Sequence, residues 1–179
     1  MSPPGDEVAA LIASRLRDVP DFPTQGILFK DITPLLADPD AFGVVLEALA
    51  THVRAAGPVD LIAGVEARGF IVAAALGALL DHGMVPVRKA GRLPPPTIAL
   101  TYDLEYGSAV IEVPAGLLAG KRVFLVDDIL ATGGTLVAAA ELLEQAGAQI
   151  TGIAVVAELA LLSGRGRLAP RQVTTLLTV

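Results

Sequence analysis

Between Asp6 and Val19 the apolar residues Val8, Leu11, Ile12 and Leu16 recur at helical spacing and Pro20 closes the pattern, which predicts a first helix. A segment punctuated by proline and glycine follows, DFPTQGILFKDITPLLADPD, and a second helical pattern runs from Ala41 to Ala56 before Gly57 and Pro58 stop it. DLIAGVE has the character of a short buried strand, FIVAAALGALLDHG of the helix behind it, and MVPVR of another strand. TIALTYDLEYG and AVIEV, separated by a Gly-Ser step, read as an irregular two-strand excursion outside the core. KRVFLV, TLVAAAELLEQAG, ITGIAVVAE and VTTLLTV complete the pattern as strand, helix, strand and strand. Short apolar strands alternating with helices predict βαβ units, hence a parallel sheet with right-handed crossovers. The expected architecture is an α/β fold of about five core strands flanked by helices. It forms one domain over residues 1–179, with an N-terminal cap drawn from residues 1–35 and one flexible excursion.

One loop in this pattern carries chemistry. Val123 to Val126 do not alternate with polar residues, so helices should cover the strand on both faces. Asp127 and Asp128 then fall at its carboxyl end, the edge at which open parallel sheets bind ligands. The next helix starts near Gly134 or Thr135, so the backbone N–H groups of Ala131 to Thr135 converge at a helix N-terminus, where an anion is favoured. Gly133 and Gly134 permit close approach, Thr132 and Thr135 add hydroxyl donors, and a compact phosphate monoester is the natural occupant. Two carboxylates cannot face that phosphate, since like charges in a partly buried site repel. They call for donors, which a sugar diol supplies, or for a cation such as Mg²⁺ lying between carboxylate, hydroxyl and a second phosphate. The loop therefore describes a ribose 5-phosphate held at both ends.

Composition narrows the partners. With 53% hydrophobic but only 4% aromatic residues, Ala, Val and Leu must fill the core, and no aromatic platform for nucleic acid is on offer. The net charge of -6 also argues against nucleic acid, so any phosphate is bound locally. The absence of cysteine excludes disulfides, Cys-ligated zinc and thiol nucleophiles. GFIVAAALGALL stops at Asp81 and ITGIAVVAELALL carries Glu158, so neither is a membrane span, and MSPPGDEV has no signal-like core. The expected compartment is the cytoplasm.

VDDILATGGT resembles the phosphoribosyl-diphosphate signature of the type I phosphoribosyltransferases, in the form that takes adenine. DFPTQGILFKDITPLLADPDAF, GVEARGF, VRKAGRLP, LEYG and ELALLSGRGRLAP also resemble segments of that family, in its order, so the resemblance spans nearly the whole chain. It implies a type I phosphoribosyltransferase-like fold with an N-terminal hood and a flexible active-site loop. The activity it implies is purine salvage, adenine and 5-phospho-α-D-ribose 1-diphosphate becoming AMP and pyrophosphate, with Mg²⁺ and in a homodimer. Asp127 and Asp128 would hold the ribose hydroxyls and, directly or through water, Mg²⁺. Ala131, Thr132, Gly133, Gly134 and Thr135 would take the 5-phosphate.

VEARGF also follows a strand and precedes a helix, so Arg68 lies at the same sheet edge and can grip a diphosphate in a planar fork. The resemblance makes Glu66, Ala67 and Arg68 the pyrophosphate loop, with a cis non-proline bond between Glu66 and Ala67. Arg88, Lys89 and Arg92 leave the next strand at that edge, and the resemblance places Lys89 and Arg92 on the diphosphate. GRLPP stands where the family has GKLPG, which keeps the charge but puts Pro95 in a glycine's place. LEYG sets Glu105 and Tyr106 on the excursion, which in the family closes over the site. Displacement at the anomeric carbon passes through a cationic sugar, and Glu105 is the candidate that handles the proton of the base. GILFKD would form the hood, with Leu28 against the purine and the backbone around Leu28 and Lys30 at its edge, although the family commonly has Arg at position 30. Related 6-oxopurine enzymes carry an aspartate where this chain has Ala131, which favours adenine.

Two other functions stay open at this level. One is a phosphoribosyltransferase for a 6-oxopurine. The other is a non-catalytic sensor of phosphoribosyl diphosphate, against which the retained LEYG and the lack of room for a DNA-binding domain both count. Gly164, Gly166 and Ala169 fit a dinucleotide pattern, but Pro170 follows at once and too few residues remain for its helix and acidic partner. His52 and His82 have no triad or metal spacing.

Overall fold

A computed structural model describes residues 5–104 and 107–179. Its elements are α1 (Gly5–Arg15), β1 (Arg17–Pro20), β2 (Leu28–Asp31), α2 (Thr33–Ala37), α3 (Pro39–Ala55), β3 (Leu61–Val65), α4 (Arg68–Leu80) and β4 (Gly83–Lys89). After these come β5 (Thr97–Leu104), β6 (Gly107–Pro114), β7 (Arg122–Leu130), α5 (Gly134–Gln145), β8 (Gln149–Glu158), α6 (Gly164–Leu168) and β9 (Val173–Thr178), with a 3₁₀ turn at Ala160–Leu162.

The seven-stranded sheet has the order β5-β6-β4-β3-β7-β8-β9. β4, β3, β7, β8 and β9 are mutually parallel and are the five predicted core strands. The excursion is a correction to the sequence reading: β5 and β6 form an antiparallel hairpin that extends the sheet, joined to β4 through Arg88↔Glu112 and Lys89↔Ile111. Its root is core, because Ile111 and Val113 are buried and Ile98, Leu100 and Tyr102 pack on the same cluster. The hairpin covers the edge that β4 would otherwise expose.

Val123 and Leu125 of β7 enter the cluster that contains Leu136, Ala139 and Leu143 of α5, while Phe124 and Val126 enter the opposite one with Val45 and Leu49 of α3 and Val72 and Leu76 of α4. Both faces are thus covered, and each such side chain stabilises the fold by about 1.5–3 kcal/mol. The start of β7 is tied to that of β3: Asp60 Oδ2 accepts from the Arg122 backbone N–H (2.8 Å) and Nε (3.0 Å), and Oδ1 from Nη2 (2.6 Å). This grip holds the Asp60 carboxyl far below the usual range.

Chain direction creates a crevice. β3 crosses through α4 to β4 on one side, whereas β7 crosses through α5 to β8 on the other, so the two connections part between β3 and β7, as at the switch point where open sheets bind ligands. The last residues paired between these strands are Gly64 and Val126, while β7 goes on pairing with β8 to Leu130↔Glu158. Asp127 and Asp128 consequently lie inside β7 rather than after it, but past its last pairing with β3.

The N-terminal region departs most from expectation. The first helix ends at Arg15, and Arg17–Pro20 form β1, antiparallel to β2 in the register Arg17↔Asp31 to Pro20↔Leu28. The helical repeat is real only as far as it buries Val8 and Ile12. Beyond it the ladder and the Arg17–Asp31 and Lys30–Asp18 ion pairs win over helix propensity. α3 starts where Asp38 caps it, its carboxylate accepting from the Ala41 N–H (3.1 Å), with Pro39 at the first helical position. No helix among the described residues is long and apolar enough to cross a membrane.

Candidate active site

Two helices point bare N-termini at the crevice. α5 begins after Gly133, which sits at φ 81°, a left-handed value suited to glycine, and no side chain caps it. α4 begins after Ala67, again without a side-chain cap, and neither helix has an acidic residue in its first turn. Uncapped first-turn N–H groups together with the helix dipole suit each end to an anion. Glu66–Arg68 on one side and Asp127–Leu136 on the other enclose a cleft of about 230 Å³. The Glu66–Ala67 bond is cis. Glu66 is anchored from behind, its Oε2 accepting from the Lys89 backbone N–H (2.9 Å) and Arg88 Nε (3.3 Å).

The carboxylates and Arg68 occupy the middle of the cleft. Asp128 is buried, and Arg68 Nε lies 2.6 Å from its Oδ2, yet that oxygen receives no aligned hydrogen bond. Asp127 Oδ1 accepts from the Asp128 backbone N–H at 2.9 Å. Burial, reinforced by the charge of Asp128, pushes the Asp127 carboxyl well above the usual carboxylate range. α4 can approach this pair because residue 69 is glycine: a Cβ there would stand 2.7 Å from Asp127 Oδ1. The pair is short of donors and of positive charge, a deficit that a diol or a cation fills. No group of three or more His, Cys, Asp or Glu able to hold a metal occurs among the described residues. Two carboxylates beside a bare helix N-terminus nevertheless suit Mg²⁺, which is usually held by one or two carboxylates plus substrate phosphates.

A second cavity of about 350 Å³ adjoins the cleft, lined by Arg17, Val19, Phe22, Phe29, Asp31, Thr33 and Arg68. The Phe22 and Phe29 rings meet edge to face, centroids 5.1 Å apart, and the Arg68 guanidinium lies 4.9 Å from the centre of the Phe29 ring. Asp31 holds the pocket together: Oδ1 accepts from Thr33 Oγ1 (2.6 Å) and the Thr33 N–H (2.8 Å), and Oδ2 from Arg17 Nη2 (2.7 Å) and Nε (3.1 Å). Arg68 lines both cavities and so stands at their junction.

The structure brings together Glu66, Ala67, Arg68, Asp127, Asp128 and Ala131 to Thr135 as one lining. Lys89 and Arg92 have exposed side chains and do not line it, although Glu112 accepts from the Arg92 and Leu93 N–H groups and so shapes the backbone there. Leu28 is half exposed and Lys30 pairs with Asp18 at 2.7 Å, so neither side chain lines the hood pocket, and Phe29 between them does. Phe22, Phe29, Arg17 and Asp31 were missed by sequence reasoning. A signal existed, since two of the chain's five phenylalanines fall within the proline- and glycine-rich segment. Glu105 and Tyr106 lie outside the described residues.

Comparison with known proteins adds the relationship. The phosphoribosyl transferase domain family matches residues 32–173. An adenine phosphoribosyltransferase of Frankia casuarinae is 54% identical over 97% of this chain and 93% of its own, and one of Mycobacterium avium is 56% identical over 91% and 90%. Among solved structures, adenine phosphoribosyltransferase from Rhodothermus marinus superposes with a TM-score of 0.92 at 42% identity, covering 97% of this chain and 99% of that one. The Saccharomyces cerevisiae enzyme, complexed with an imino-altritol bisphosphate and adenine, gives 0.90 at 40% identity, covering 96% and 99%.

Proposed function

Since the chain belongs to the phosphoribosyl transferase family and matches adenine phosphoribosyltransferases over nearly its whole length, we infer that it joins adenine to phosphoribosyl diphosphate, giving AMP and pyrophosphate. The observation that carries the reading is the junction at Arg68, where a polar cleft with two bare helix ends meets an aromatic pocket. A nucleotide has that division: phosphates and sugar on one side, a flat base on the other.

The 5-phosphate takes the N–H groups and hydroxyls of Ala131–Thr135, and Asp127 and Asp128 accept from the ribose hydroxyls. Glu66–Arg68 and the start of α4 take the diphosphate, with Lys89 and Arg92 reaching it from outside the cleft lining. Phe29 and Phe22 hold the purine face, and the backbone around Leu28 and Lys30 reads its edge. In the reaction a ring nitrogen of adenine bonds to C1 of the ribose. The C1–O bond to the diphosphate breaks and its electron pair leaves with pyrophosphate. Arg68, which lies 2.6 Å from Asp128, would meet the charge that builds on the leaving group. Glu105 takes the proton of the base, with Tyr106 next to it in the sequence. Asp127 and Asp128 would hold Mg²⁺, directly or through water, and the ion would supply charge neutralisation at the diphosphate.

The enzyme works as one domain of residues 1–179 in the cytoplasm. Its partner is a second copy of the chain, which the outer face of α4 suits: Ile71 and Leu79 are 46% and 40% exposed, Ala74 and Ala78 lie between them, and no charge interrupts the helix after Arg68.

A hood whose backbone donors and acceptors match adenine leaves buried groups unpaired against a 6-oxopurine. Assayed with each base in turn, the protein should form AMP efficiently, with kcat/KM at least roughly a hundredfold lower for hypoxanthine and guanine. Equal values for adenine and hypoxanthine would refute the hood assignment. Binding of phosphoribosyl diphosphate without turnover of any base would favour a sensor.

A further inference from the structure

Behind the cleft, a turn from the far end of the chain presses directly on the phosphate loop. Gly164, buried at the start of α6, approaches it backbone to backbone. A Cβ at position 164 would collide with the Ala131 carbonyl oxygen and stand 2.9 Å from the Gly133 nitrogen, and one at Gly133 would stand 2.6 Å from the Gly164 carbonyl oxygen. Arg167 Nη1 donates to the Thr132 carbonyl at 3.4 Å. The turn is itself anchored. Arg165 forks onto the buried Glu158 at the end of β8 and donates to the Val173 carbonyl, while Leu168 is buried in the cluster that contains Leu130 and Leu136.

We propose that Ser163–Leu168 is a rear brace for the phosphate loop, with Gly164 and Arg167 as positioning residues for binding of the 5-phosphate. The proposal rests on the assignment of residues 131–135 as the 5-phosphate site and deepens it. Converging N–H groups bind an anion only while their directions are fixed, and nothing caps α5 from the front. The brace supplies that fixity from behind without touching the ligand. A methyl group at 164 must push Ala131–Gly133 forward or the turn away, and either movement spreads the donors. The diphosphate end, built on Glu66–Arg68, has no contact with the turn among those just described.

The test is calorimetric titration of the full chain with three probes: ribose 5-phosphate, Mg²⁺-pyrophosphate and adenine. Gly164→Ala should weaken ribose 5-phosphate at least about tenfold and leave pyrophosphate and adenine unchanged. Gly166→Ala in the same turn, where a Cβ meets nothing within 4 Å, should leave all three unchanged. If Gly164→Ala does not fold, Arg167→Ala at an exposed position decides, with an expected loss of about threefold for ribose 5-phosphate alone. Unchanged ribose 5-phosphate affinity in the deciding variant, or an equal loss for all three probes, overturns the brace. Wild-type protein that fails to bind ribose 5-phosphate overturns instead the assignment of the loop, a result that no 164 or 167 variant can mimic.

Discussion

The cleft at the ends of β3 and β7 is made chiefly of backbone: two uncapped helix starts, a glycine loop and a cis peptide, set in the middle of a seven-stranded sheet. The hood pocket is made of side chains carried on two four-residue strands and the turn between them, with Arg17, Phe29 and Asp31 from the strands and Phe22 from the turn as its walls. Their electrostatics differ as well. The cleft keeps two adjacent carboxylates with too few partners, whereas in the hood Asp31 has every oxygen engaged and its carboxyl lies below the usual range. A site left short of partners is poised for ligand atoms; a satisfied network serves as scaffold. Arg68, touching Asp128 in one and Phe29 in the other, is where the two meet.

The contrast breaks most visibly at the aspartates. Asp127→Asn with Asp128→Asn should lower kcat/KM for phosphoribosyl diphosphate by about a hundredfold or more. The melting temperature should hold or rise, because repulsion between two close carboxylates, one of them buried, opposes folding. Near-normal turnover at limiting phosphoribosyl diphosphate would remove the aspartates from the site, and a lower melting temperature would make them scaffold like Asp31. Next in size, Phe29→Ala should raise the Kd for adenine roughly 5- to 150-fold, as base–aromatic stacking is worth about 1–3 kcal/mol. Ribose 5-phosphate binding should not change. Parallel losses of both ligands would show that the hood and the cleft are not separable.

The smallest effect is in acid. The Thr33 hydroxyl, then the Thr33 N–H, and Arg17 after them lower the pKa of Asp31 against the opposing effect of burial. A carboxyl depressed in the folded state contributes stability that is complete above its unfolded pKa of about 4 and is lost as pH falls through its lower native value. Amide-exchange protection of β1 and β2 should therefore decline below roughly pH 4 before that of β7 does. Asp31→Asn should flatten this dependence. Identical acid profiles for the two regions would mean that the hood has no local stability of its own.

The cleft could be read from the sequence because its cause is local in the chain: VDDILATGGT and VEARGF each pass from apolar strand to helix, and period and glycine content mark that passage. The hood could not. Its strands are too short for alternation to register, and α1 leads into β1 with Leu16 continuing the helical repeat. What makes Arg17–Pro20 a strand is its pairing with Leu28–Asp31, which no local pattern reports. The hairpin of β5 and β6 failed for a related reason, since its core role comes from joining β4. The brace at Gly164 was hidden too, because its meaning lies in contact with a loop some thirty residues earlier.

The position of β7 also governs how the molecule must be made. Synthesis delivers β3 first, then β7, and only later β8, at roughly 5–20 residues per second. The loop of Ala131–Thr135 leaves the ribosome before the strand that flanks it and the turn behind it. Until Gln149–Glu158 emerge, the apolar run from Val123 to Val126 has a partner on one edge only, and its other edge is open to pairing with another chain. A nascent chain that pauses there, or a message cut short before codon 149, yields a sticky half-sheet. Translation speed between β7 and β8 should accordingly set the yield of folded protein.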